Sequence, residues 1–531
     1  SSQHNVIITG DDGSGKKTFV DNIAYQLRLQ ESQKGYAYRR VLTLKAQDLL
    51  SGEHDPDTVL LQALKRANKQ GHFILVLENI GLFLQSSDAK IAGVLSKFLQ
   101  TKNINVIGIA DTKDYHKYIK TNPALETQFE VISLEPTVFA DTMSVLMEEY
   151  FNIEERQHTH VTYKALKGII DLADRYVNKG AFPGKAIDLL YDAVANAKEA
   201  KAEFVTEDNV REMISLRAHM DITGSDDKQK EVLRNLEQEM AKEVIGQRDA
   251  LTSISNALKR ASADITNRKK PIGTFLFLGP TGVGKTQTAK TLAKNYFGSS
   301  ENMIRMDMNE YGNEDSVSMV IGSTDPRYPS EGFLTRAVQD KPFSLILLDE
   351  IEKADKKVLN LFLQILDEGH LIDGQGVKTD FRNSIIIATS NAGAQFIVEF
   401  LREHPDPDAD TFKKTLLDEL IKSGKYSPEF LNRFDDVILY QPLSVEETVQ
   451  VASLMIGSII KELEEGKGIV IQIDDDAVAA IAKKGHSIEF GAREMKRAIT
   501  DTLETYVADY VLNNDVQRGA VLKISKDDLK L

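Results

Sequence analysis

The chain carries two copies of one order of elements, and this duplication constrains its fold more than any other feature. Each copy begins with an apolar strand, passes through a glycine-rich loop into a helix, and reaches a second apolar strand that ends in an acidic residue. The loop lysines are Lys16 and Lys285, and the acidic strand ends, Glu78 and Asp349, follow them at nearly the same interval. The sequence therefore predicts an α/β protein built from two tandem units.

Each α/β unit is followed by mostly polar sequence with a helical pattern. Apolar residues recur at spacings of three and four over 137–202 and 443–514, which predicts a small helical domain after each unit. Between the copies, the charged and glycine-punctuated stretch 222–228 indicates a linker, with a surface loop inside one domain as the alternative. A length of 531 residues also favours several domains, since one domain takes about 150 residues.

Charge and composition disfavour several classes of function. The chain has 65 Lys and Arg against 80 Asp and Glu, and its net charge of −15 disfavours a nucleic-acid partner. No apolar run approaches the roughly 18 residues of a membrane span, so no membrane partner is expected. The absence of cysteine and of an N-terminal secretory signal favours a cytoplasmic protein. The histidines form no ligand-spaced cluster, so the only metal expected is nucleotide-bound Mg²⁺.

The loop of the second copy has the pattern of a phosphate-binding loop. It follows the buried-strand run 274–278 and leads into a helix, which is the context that gives the pattern meaning. Its glycines let backbone N–H groups converge on a phosphate, Lys285 reaches the β- and γ-phosphates, and the Thr286 hydroxyl can bind Mg²⁺. The predicted nucleotide-binding residues of this loop are Gly279, Pro280, Thr281, Gly282, Val283, Gly284, Lys285 and Thr286.

Two adjacent acids end the second apolar strand of this copy. Asp349 would belong to the Mg²⁺ shell, and Glu350 stands one residue further, where a carboxylate can polarise an attacking water. A solvated strand end is the alternative interpretation. Paired acids after a phosphate-binding loop predict hydrolysis of the nucleotide rather than binding alone.

From Val244 to Arg497 the chain resembles the second module of the Clp family of AAA+ protein unfoldases. The resemblance rests on ordered motifs: VIGQ (244–247), DEIEKA (349–354), LIDGQG (371–376), DFRN (380–383), TSN (389–391), PEFLNR (428–433) and GAR (491–493). It implies two tandem AAA+ modules in a hexameric ring, each a P-loop α/β large domain followed by a small, mainly helical lid domain.

The resemblance also implies roles for residues outside the loop. Asn391 matches sensor 1, Arg433 matches an arginine finger that enters the neighbouring subunit's site, and Arg493 matches sensor 2 on the lid. Val244 and Ile245 match the segment beside adenine. The alternatives are a capping amide for Asn391 and surface ion pairs for the two arginines.

The first copy resembles the first module of the same family but departs at the catalytic positions. Lys16 is retained as a candidate nucleotide ligand, whereas Lys17 replaces the expected Ser or Thr and Asn79 replaces the expected Glu. The stretch 107–111 lacks the family's threonines near sensor 1, and 125–129 lacks two arginines. We predict that this module supports the ring and hydrolyses ATP slowly or not at all.

The loops that grip substrate in the family are altered in both copies. The first loop aligns with 51–55, which has no aromatic residue. The second aligns with 324–329, where Tyr328 is the candidate gripping residue and a turn tyrosine packed between two prolines is the alternative.

These observations predict five segments and one leading function. The segments are a degenerate, N-terminally incomplete first large domain (1–137), its small domain (138–220), a linker (221–243), an active second large domain (244–442) and a second small domain (443–531). The leading function is an ATP-dependent unfoldase or remodelling chaperone that threads protein through a hexamer and is powered by the second module. The alternative is a regulatory or scaffolding ring that does not thread.

The predicted partners are protein substrates and other subunits of the ring. A homo-hexamer is expected, with a hetero-hexamer as the alternative, and a barrel protease or an adaptor is a further candidate partner. The interval between Asp188 and Val244 is too short for the long coiled coil of disaggregating members, and 400–410 lacks the tripeptide of members that feed a protease. A nucleic-acid motor is disfavoured by these motifs and by the net charge.

Overall fold

The computed structural model describes residues 5–29, 40–50, 56–70, 73–85, 90–100, 104–157, 159–177, 180–218, 226–263, 269–323, 330–404, 408–487, 491–514 and 519–529. The chain divides into two compact units. The first comprises Ser1–Thr223, Ser318–Asp340 and Ile372–Asp380, and the second comprises Gly224–Val317, Lys341–Leu371 and Phe381–Leu531. The division at 223 falls at the stretch where the sequence indicates a linker.

A five-stranded parallel sheet forms the core of the first unit. Its strands are β1 (Asn5–Gly10), β2 (Arg40–Lys45), β3 (Phe73–Glu78), β4 (Asn105–Asp111) and β5 (Phe129–Ser133). Their order in the sheet is β2-β3-β4-β1-β5, and every pair is parallel. Strands β1 and β3 are buried along most of their length, as apolar runs in parallel sheets usually are.

Seven helices of the first large domain and a four-helix small domain are described. The large domain has α1 (Lys16–Arg28), α2 (Ala46–Leu50), α3 (Pro56–Gln70), α4 (Ile80–Gln85), α5 (Lys90–Leu99), α6 (Thr112–Asp114) and α7 (Pro123–Glu126). The small domain has α8 (Phe139–Gln157), α9 (Tyr163–Tyr176), α10 (Gly184–Glu199) and α11 (Glu207–Ala218), with β6 (His160–Val161) paired to β7 (Phe204–Val205).

The second unit contains a sheet of the same topology. Its main strands are β8 (Gly273–Leu278), β9 (Met303–Asp307), β12 (Leu345–Asp349), β15 (Ile385–Ser390) and β16 (Asp436–Leu439), in the order β16-β8-β15-β12-β9. Strands β8 and β15 are buried at every residue. The same part of the sequence holds two short two-stranded sheets, formed by β10 (Gly322–Ser323) with β11 (Ser330–Glu331) and by β13 (His370–Ile372) with β14 (Lys378–Asp380).

The helices of the second half follow the same plan of a large domain and a lid. The large domain has α12 (Asp226–Ala241), α13 (Arg248–Ala263), α14 (Lys285–Phe297), α15 (Ser316–Ile321), α16 (Phe333–Asp340), α17 (Lys356–Glu368), α18 (Ala394–Glu403), α19 (Ala409–Lys422) and α20 (Pro428–Leu431). The small domain has α21 (Val445–Lys467), α22 (Asp475–Gly485), α23 (Ala492–Ile499) and α24 (Thr505–Asn513), with β17 (Val470–Ile473) paired to β18 (Val521–Ile524).

The two main sheets can be matched strand by strand because their order is the same. Strand β1 corresponds to β8, and the acidic strand β3 corresponds to β12. Gly10 pairs with Asp111 in the first sheet, and Leu278 pairs with Ser390 in the second. Continuing that register by one residue places Asp111 at the position that Asn391 has in the second unit.

The interval 221–243, which we predict to be a linker, contains a helix over most of its length. Helix α12 occupies most of it, and its apolar residues Leu233, Leu236 and Met240 are buried. The helix packs on α13 and α14, so it belongs to the second unit. The sequence signal missed it because charged residues dominate the exposed face of an amphipathic helix.

The predicted α/β fold with two tandem P-loop units and helical lids is confirmed. Within the part of the chain that the structure describes, no helix is long and apolar enough to cross a membrane. The carboxyl ends of the parallel strands carry both glycine-rich loops, which is where open α/β sheets bind ligands.

Candidate nucleotide site

The second glycine-rich loop connects β8 to α14 and is shaped by its glycines. Gly282 and Gly284 have φ of 79° and 105°, in the left-handed region that side chains disfavour. A Cβ on Gly279 would lie 2.6 Å from the carbonyl oxygen of Tyr440, so this glycine also allows a close backbone approach. The first N–H groups of α14 have no helical partner and can therefore bind an anionic phosphate.

Lys285 is buried at the centre of this loop. Its Nζ donates to the carbonyl oxygens of Gly279 (2.5 Å) and Pro280 (2.9 Å) and to Asn391 Oδ1 (2.8 Å). Burial lowers the pKa of Lys285 to about 8, against the opposing effect of nearby carboxylates, chiefly that of Glu352. A phosphate in the loop would favour the charged form of this lysine.

Asp349 ends β12 with both carboxylate oxygens engaged. Oδ1 accepts from Thr389 Oγ1 at 2.5 Å, and Oδ2 pairs with Arg305 at 2.7 Å. Thr389 lies on β15 and Arg305 on β9, the two strands that flank β12. The flanking strands therefore fix the orientation of this carboxylate.

Glu350 follows with an unusual backbone conformation. Its φ is 58°, and its N–H donates to Thr389 Oγ1 at 3.2 Å. Asn309, just beyond β9, donates from Nδ2 to Glu350 Oε2 at 2.9 Å. An amide thus holds the carboxylate that the sequence predicts to be the base.

Asn391 is oriented by a third carboxylate of the DEIEKA motif. Its backbone N–H donates to Glu352 Oε1 at 3.0 Å, and its side-chain oxygen faces Lys285. The other oxygen of Glu352 is buried and accepts no hydrogen bond from any residue that the structure describes. The Asn391 amide therefore stands at the edge of the phosphate loop, consistent with the position predicted for sensor 1.

A cavity of about 420 Å³ lies beside the loop at the start of α13. Ile245 lines it, together with Leu439, Gln441 and Gln450, whereas Val244 is buried in the core. Gln247 donates from Nε2 to the carbonyl oxygens of Val283 (3.2 Å) and Gln441 (3.0 Å). This glutamine ties the wall of the cavity to the phosphate loop.

The lid of the second unit contacts the loop through the start of α23. The Ala492 N–H donates to the Gly282 carbonyl oxygen at 2.9 Å. Arg493 is the next residue; it is exposed, and its charge acts on Lys285. The lid arginine thus lies on the phosphate side of the loop.

Arg433 forms ion pairs within its own chain. It contacts Asp367, at the end of α17, and Glu429, at 3.1 Å. Its side chain is one-third exposed. In the single chain, Arg433 is therefore part of an ion pair. For Arg433 to enter a neighbouring subunit's site, its contacts with the two carboxylates would have to break.

The first loop has the same backbone but different partners. Lys16 Nζ donates to the carbonyl oxygens of Gly10 (2.9 Å) and Asp11 (2.7 Å), as Lys285 does in its own loop. Its third partner is the carboxylate of Asp111, at 2.9 Å, instead of an asparagine amide. Asp111 supplies a charge where the second site has a neutral group.

The magnesium position of the first loop also differs. Lys17 Nζ lies 3.4 Å from Glu78 Oε1, which ends β3 as Asp349 ends β12. Asn79 follows with a φ of 57°, almost the value of Glu350. The backbone conformation after β3 thus matches that after β12, with Asn79 in place of Glu350.

Comparison with known families matches most of the chain. A model of the AAA domain (Cdc48 subfamily) matches residues 270–437, and a model of the C-terminal D2-small domain of ClpB protein matches 443–524. A model of the AAA lid domain matches 139–245. The family matches therefore cover the second large domain and both small domains.

Full-length relatives match over almost the whole chain. The ATP-dependent Clp protease ATP-binding subunit ClpC of Staphylococcus epidermidis is 31% identical over 602 aligned positions, which cover 99% of this chain and 73% of the relative. The same subunit of Staphylococcus aureus (strain USA300) gives the same identity and coverage. The chain belongs to the Clp ATPase family. It is an AAA+ ATPase of the chaperone class.

A solved structure supports the assignment at the level of the fold. A closed-state cryo-EM reconstruction of Hsp104 with ATPγS and FITC-casein superposes with a TM-score of 0.77 at 26% identity. The match covers 96% of this Clp-family chain and 89% of the Hsp104 chain. Both AAA+ modules thus have counterparts in a protein solved with nucleotide.

The structure brings most of the predicted residues of this Clp ATPase together at one edge of the second sheet. Lys285, Asp349, Glu350 and Asn391 lie within the hydrogen-bond network described above, with Arg493 nearby. Tyr328 and the segment 51–55 lie outside the described residues. In the described segments, no group of three or more His, Cys, Asp or Glu residues could hold a metal ion without a nucleotide.

Sequence reasoning missed the contacts that support the site. Arg305 and Asn309 were not singled out, and Thr389 and Glu352 were named only as members of motifs, without a role. Asn309 had a detectable signal, because it follows an apolar strand at the edge of the sheet that carries the loop.

Proposed function

We propose that this Clp-family ATPase is an unfoldase or remodelling chaperone that threads protein through a hexameric ring, powered by its second module. The main support is the contact between Lys285 and Asn391, because it joins the phosphate loop to the predicted sensor beside the acids of β12. The first loop has the same backbone but lacks this neutral contact. We therefore assign hydrolysis to the second large domain (244–442) and a supporting role to the first (1–137).

Thr286 and Asp349 are the proposed ligands of Mg²⁺ bound with ATP. A hydroxyl and a carboxylate beside a phosphate loop are the hard oxygen donors that this ion prefers, so these residues fit it. The ion would neutralise developing phosphate charge. The hydrogen bond from Thr389 and the ion pair with Arg305 hold the Asp349 carboxylate in a fixed orientation before nucleotide binds.

The other site residues divide the remaining tasks. Glu350 accepts the proton of the attacking water, and Asn391 orients that water against the γ-phosphate. Arg493 approaches the phosphates from the lid, and Ile245 contacts the base in the cavity beside the loop, with Val244 supporting it from the core. Arg433 acts on the neighbouring subunit, where an added cation stabilises transition-state charge.

A ring is required by this arrangement because Arg433 completes a site other than its own. We propose a homo-hexamer in the cytoplasm that acts on protein substrates, with no nucleic-acid or membrane partner. The staphylococcal relatives are named ATP-binding subunits of a Clp protease, which makes a barrel protease or an adaptor a candidate partner for this chain. The segments 138–220 and 443–531 would be the two lids.

The second candidate function is a regulatory ring in which nucleotide controls assembly without threading. The ion pairs of Lys16 with Asp111 and of Lys17 with Glu78 favour it, because these side chains replace the partners that we assign to hydrolysis in the second loop. The second loop favours threading, because it retains a complete set of them. A hetero-hexamer is compatible with either function.

A fluorescence-loss assay with a tagged, folded fluorescent protein separates the two functions. Wild-type chain with ATP should unfold the substrate, whereas Glu350→Gln should bind ATP and fail to unfold. Tyr328→Ala should reduce unfolding more than ATP turnover if this tyrosine grips substrate, and Tyr510→Ala, on α24, is a matched control. If the wild type consumes ATP and no substrate loses fluorescence, threading is rejected and the regulatory ring is retained.

A further inference from the structure

The first glycine-rich loop retains the backbone of a phosphate cradle. Gly13 and Gly15 have φ of 83° and 86°, close to the 79° of Gly282. Lys16 contacts the same two loop carbonyl positions as Lys285, and its side chain is only 9% exposed. The N–H groups at the start of α1 are therefore arranged for one anionic phosphate.

The side chains at the magnesium position do not fit a magnesium ion. Lys17 stands where the second loop has Thr286, and Glu78 stands where it has Asp349. The Lys17 ammonium already balances the Glu78 carboxylate across 3.4 Å. A divalent cation needs oxygen ligands and is repelled by an ammonium group, so this pair displaces the metal from the site.

The residue at the sensor position opposes a third phosphate. Asp111 lies beside Gly10 in the sheet register, as Asn391 lies beside Gly279, and its carboxylate is 2.9 Å from Lys16 Nζ. An asparagine amide can turn to donate hydrogen bonds to phosphate oxygens, but a carboxylate has no hydrogen to donate. A γ-phosphate at Lys16 would meet a negative charge in this place.

We propose that the first loop is a magnesium-independent site for a nucleoside diphosphate. Lys16 binds the phosphate held by the backbone, and Lys17, which is 61% exposed, supplies the positive charge that a metal supplies elsewhere. Asp111 excludes the γ-phosphate. Asp11 and Asp12 replace Pro280 and Thr281 and add negative charge, so the affinity is lower than that of the second loop. The inference goes beyond the proposed function, which concerns the second site.

Fluorescently labelled ADP and ATP test this site in the full chain. Lys285→Ala removes the phosphate-binding ammonium of the second loop, and the remaining binding reports on the first. We expect its ADP affinity to change by less than about threefold between Mg²⁺ and EDTA, and ADP to bind at least about tenfold tighter than ATP. In the matched variant Lys16→Ala, the remaining binding reports on the second loop. EDTA should weaken this ATP binding by about tenfold or more.

Two further variants make the test specific. Asp111→Asn in the Lys285→Ala chain should narrow the preference for ADP over ATP, because the repelling charge is removed. Adding Lys17→Thr with Glu78→Asp should make binding depend on Mg²⁺, because it rebuilds the ligand pair of the second loop. If Lys285→Ala does not fold, the wild-type chain serves, and it should retain one ADP per chain in EDTA.

Two results overturn the proposal when the chain has native circular dichroism. One is loss of ADP binding in EDTA. The other is that Lys16→Ala removes none of the ADP binding. Equal affinity for ADP and ATP would also overturn it. These outcomes do not affect the unfolding assay, which depends on Glu350, so failure of one proposal is distinguishable from failure of the other.

Discussion

The two glycine-rich loops share a backbone and differ in charge. Both place a buried lysine among loop carbonyls, and both end the acidic strand with a left-handed residue, Asn79 or Glu350. In the second loop the lysine meets a neutral amide, and in the first it meets a carboxylate. The two loops thus keep one backbone with different side chains, because glycines and packing set the backbone, and we propose that the side chains decide which loop hydrolyses ATP.

A second contrast is in how the acids are supported. Asp349 has two partners from flanking strands, and Glu350 is held by Asn309. In the first loop, Glu78 has Lys17 as its charged partner. Both acids thus have a cationic partner, but the partner of Asp349 comes from a flanking strand, whereas that of Glu78 stands at the position of Thr286, the proposed magnesium ligand. The proposed assignment of hydrolysis to the second module can be tested at matched positions of the two modules.

The largest effect is expected for Arg433, the arginine that we propose to act across the ring. Arg433→Ala should lower ATP turnover by about 10³-fold or more, the range measured for arginine fingers. Gln128 is the matched position in the first module, because it follows the first proline of α7 at the same interval as Arg433 follows that of α20, and Gln128→Ala should change turnover by less than about twofold. Mixing Arg433→Ala subunits with Glu350→Gln subunits should restore activity in part. Turnover unchanged in Arg433→Ala would contradict the assignment.

The catalytic carboxylate gives the next largest effect. Glu350→Gln should lower kcat by about 10²–10⁴-fold and leave ATP binding intact, because the amide cannot accept the proton of water. Asn79→Gln in the first module should leave kcat unchanged. Steady-state ATPase assays and nucleotide binding measured on the same samples check both. A large loss in Asn79→Gln would show that the first site contributes to turnover.

The loop lysines provide the most direct comparison. Lys285→Ala should reduce ATP turnover by about 10²–10³-fold, since a positive charge on the transferred phosphate is lost. Lys16→Ala should retain turnover within about twofold at saturating ATP. The ATPase rate per chain is measured for both variants. Light scattering on the same samples checks that the size of the ring is unchanged. Near wild-type turnover in Lys285→Ala would refute confinement of hydrolysis to the second loop.

A smaller effect concerns pH. The pKa of Lys285 is about 8 before nucleotide binds, and phosphate favours the charged lysine, so binding takes up a proton above that pH. ATP affinity of the second loop should therefore fall by about tenfold between pH 7 and pH 9. In Lys285→Arg, which stays charged, the profile should be flatter. Titration calorimetry in two buffers would detect the proton uptake, and its absence would argue against a lowered pKa.

The sequence predicted the fold well because strong local signals marked it. The apolar strand before Gly279, the glycines themselves and the strand before Asp349 all appear where they were expected. The helical lids were recognisable from spacing alone. Helix α12 was not, because its few apolar residues are set in a charged sequence and only its packing on α13 and α14 shows which face is buried.

The residues assigned to nucleotide and water in the proposed site could be predicted from the sequence, whereas the contacts that hold these residues in place could not. Lys285 and Glu350 follow from motifs, because the motif spacing places them at one sheet edge. Partners such as Arg305 and Thr389 come from neighbouring strands, and only the strand order β16-β8-β15-β12-β9 brings them to Asp349. Lys17 was likewise visible as a departure from the family's motif and Glu78 as the end of an acidic strand, but the contact between them depends on the sheet.

The left-handed backbone at the end of the acidic strand has a consequence for stability and evolution. Asparagine tolerates this conformation better than glutamate, for which it costs roughly 1 kcal/mol. An asparagine here, such as Asn79, therefore carries less backbone strain than a glutamate. The second module keeps the strained residue at the position of the proposed base. If the first module does not hydrolyse ATP, as we propose, folding stability favours its asparagine and opposes a return to glutamate.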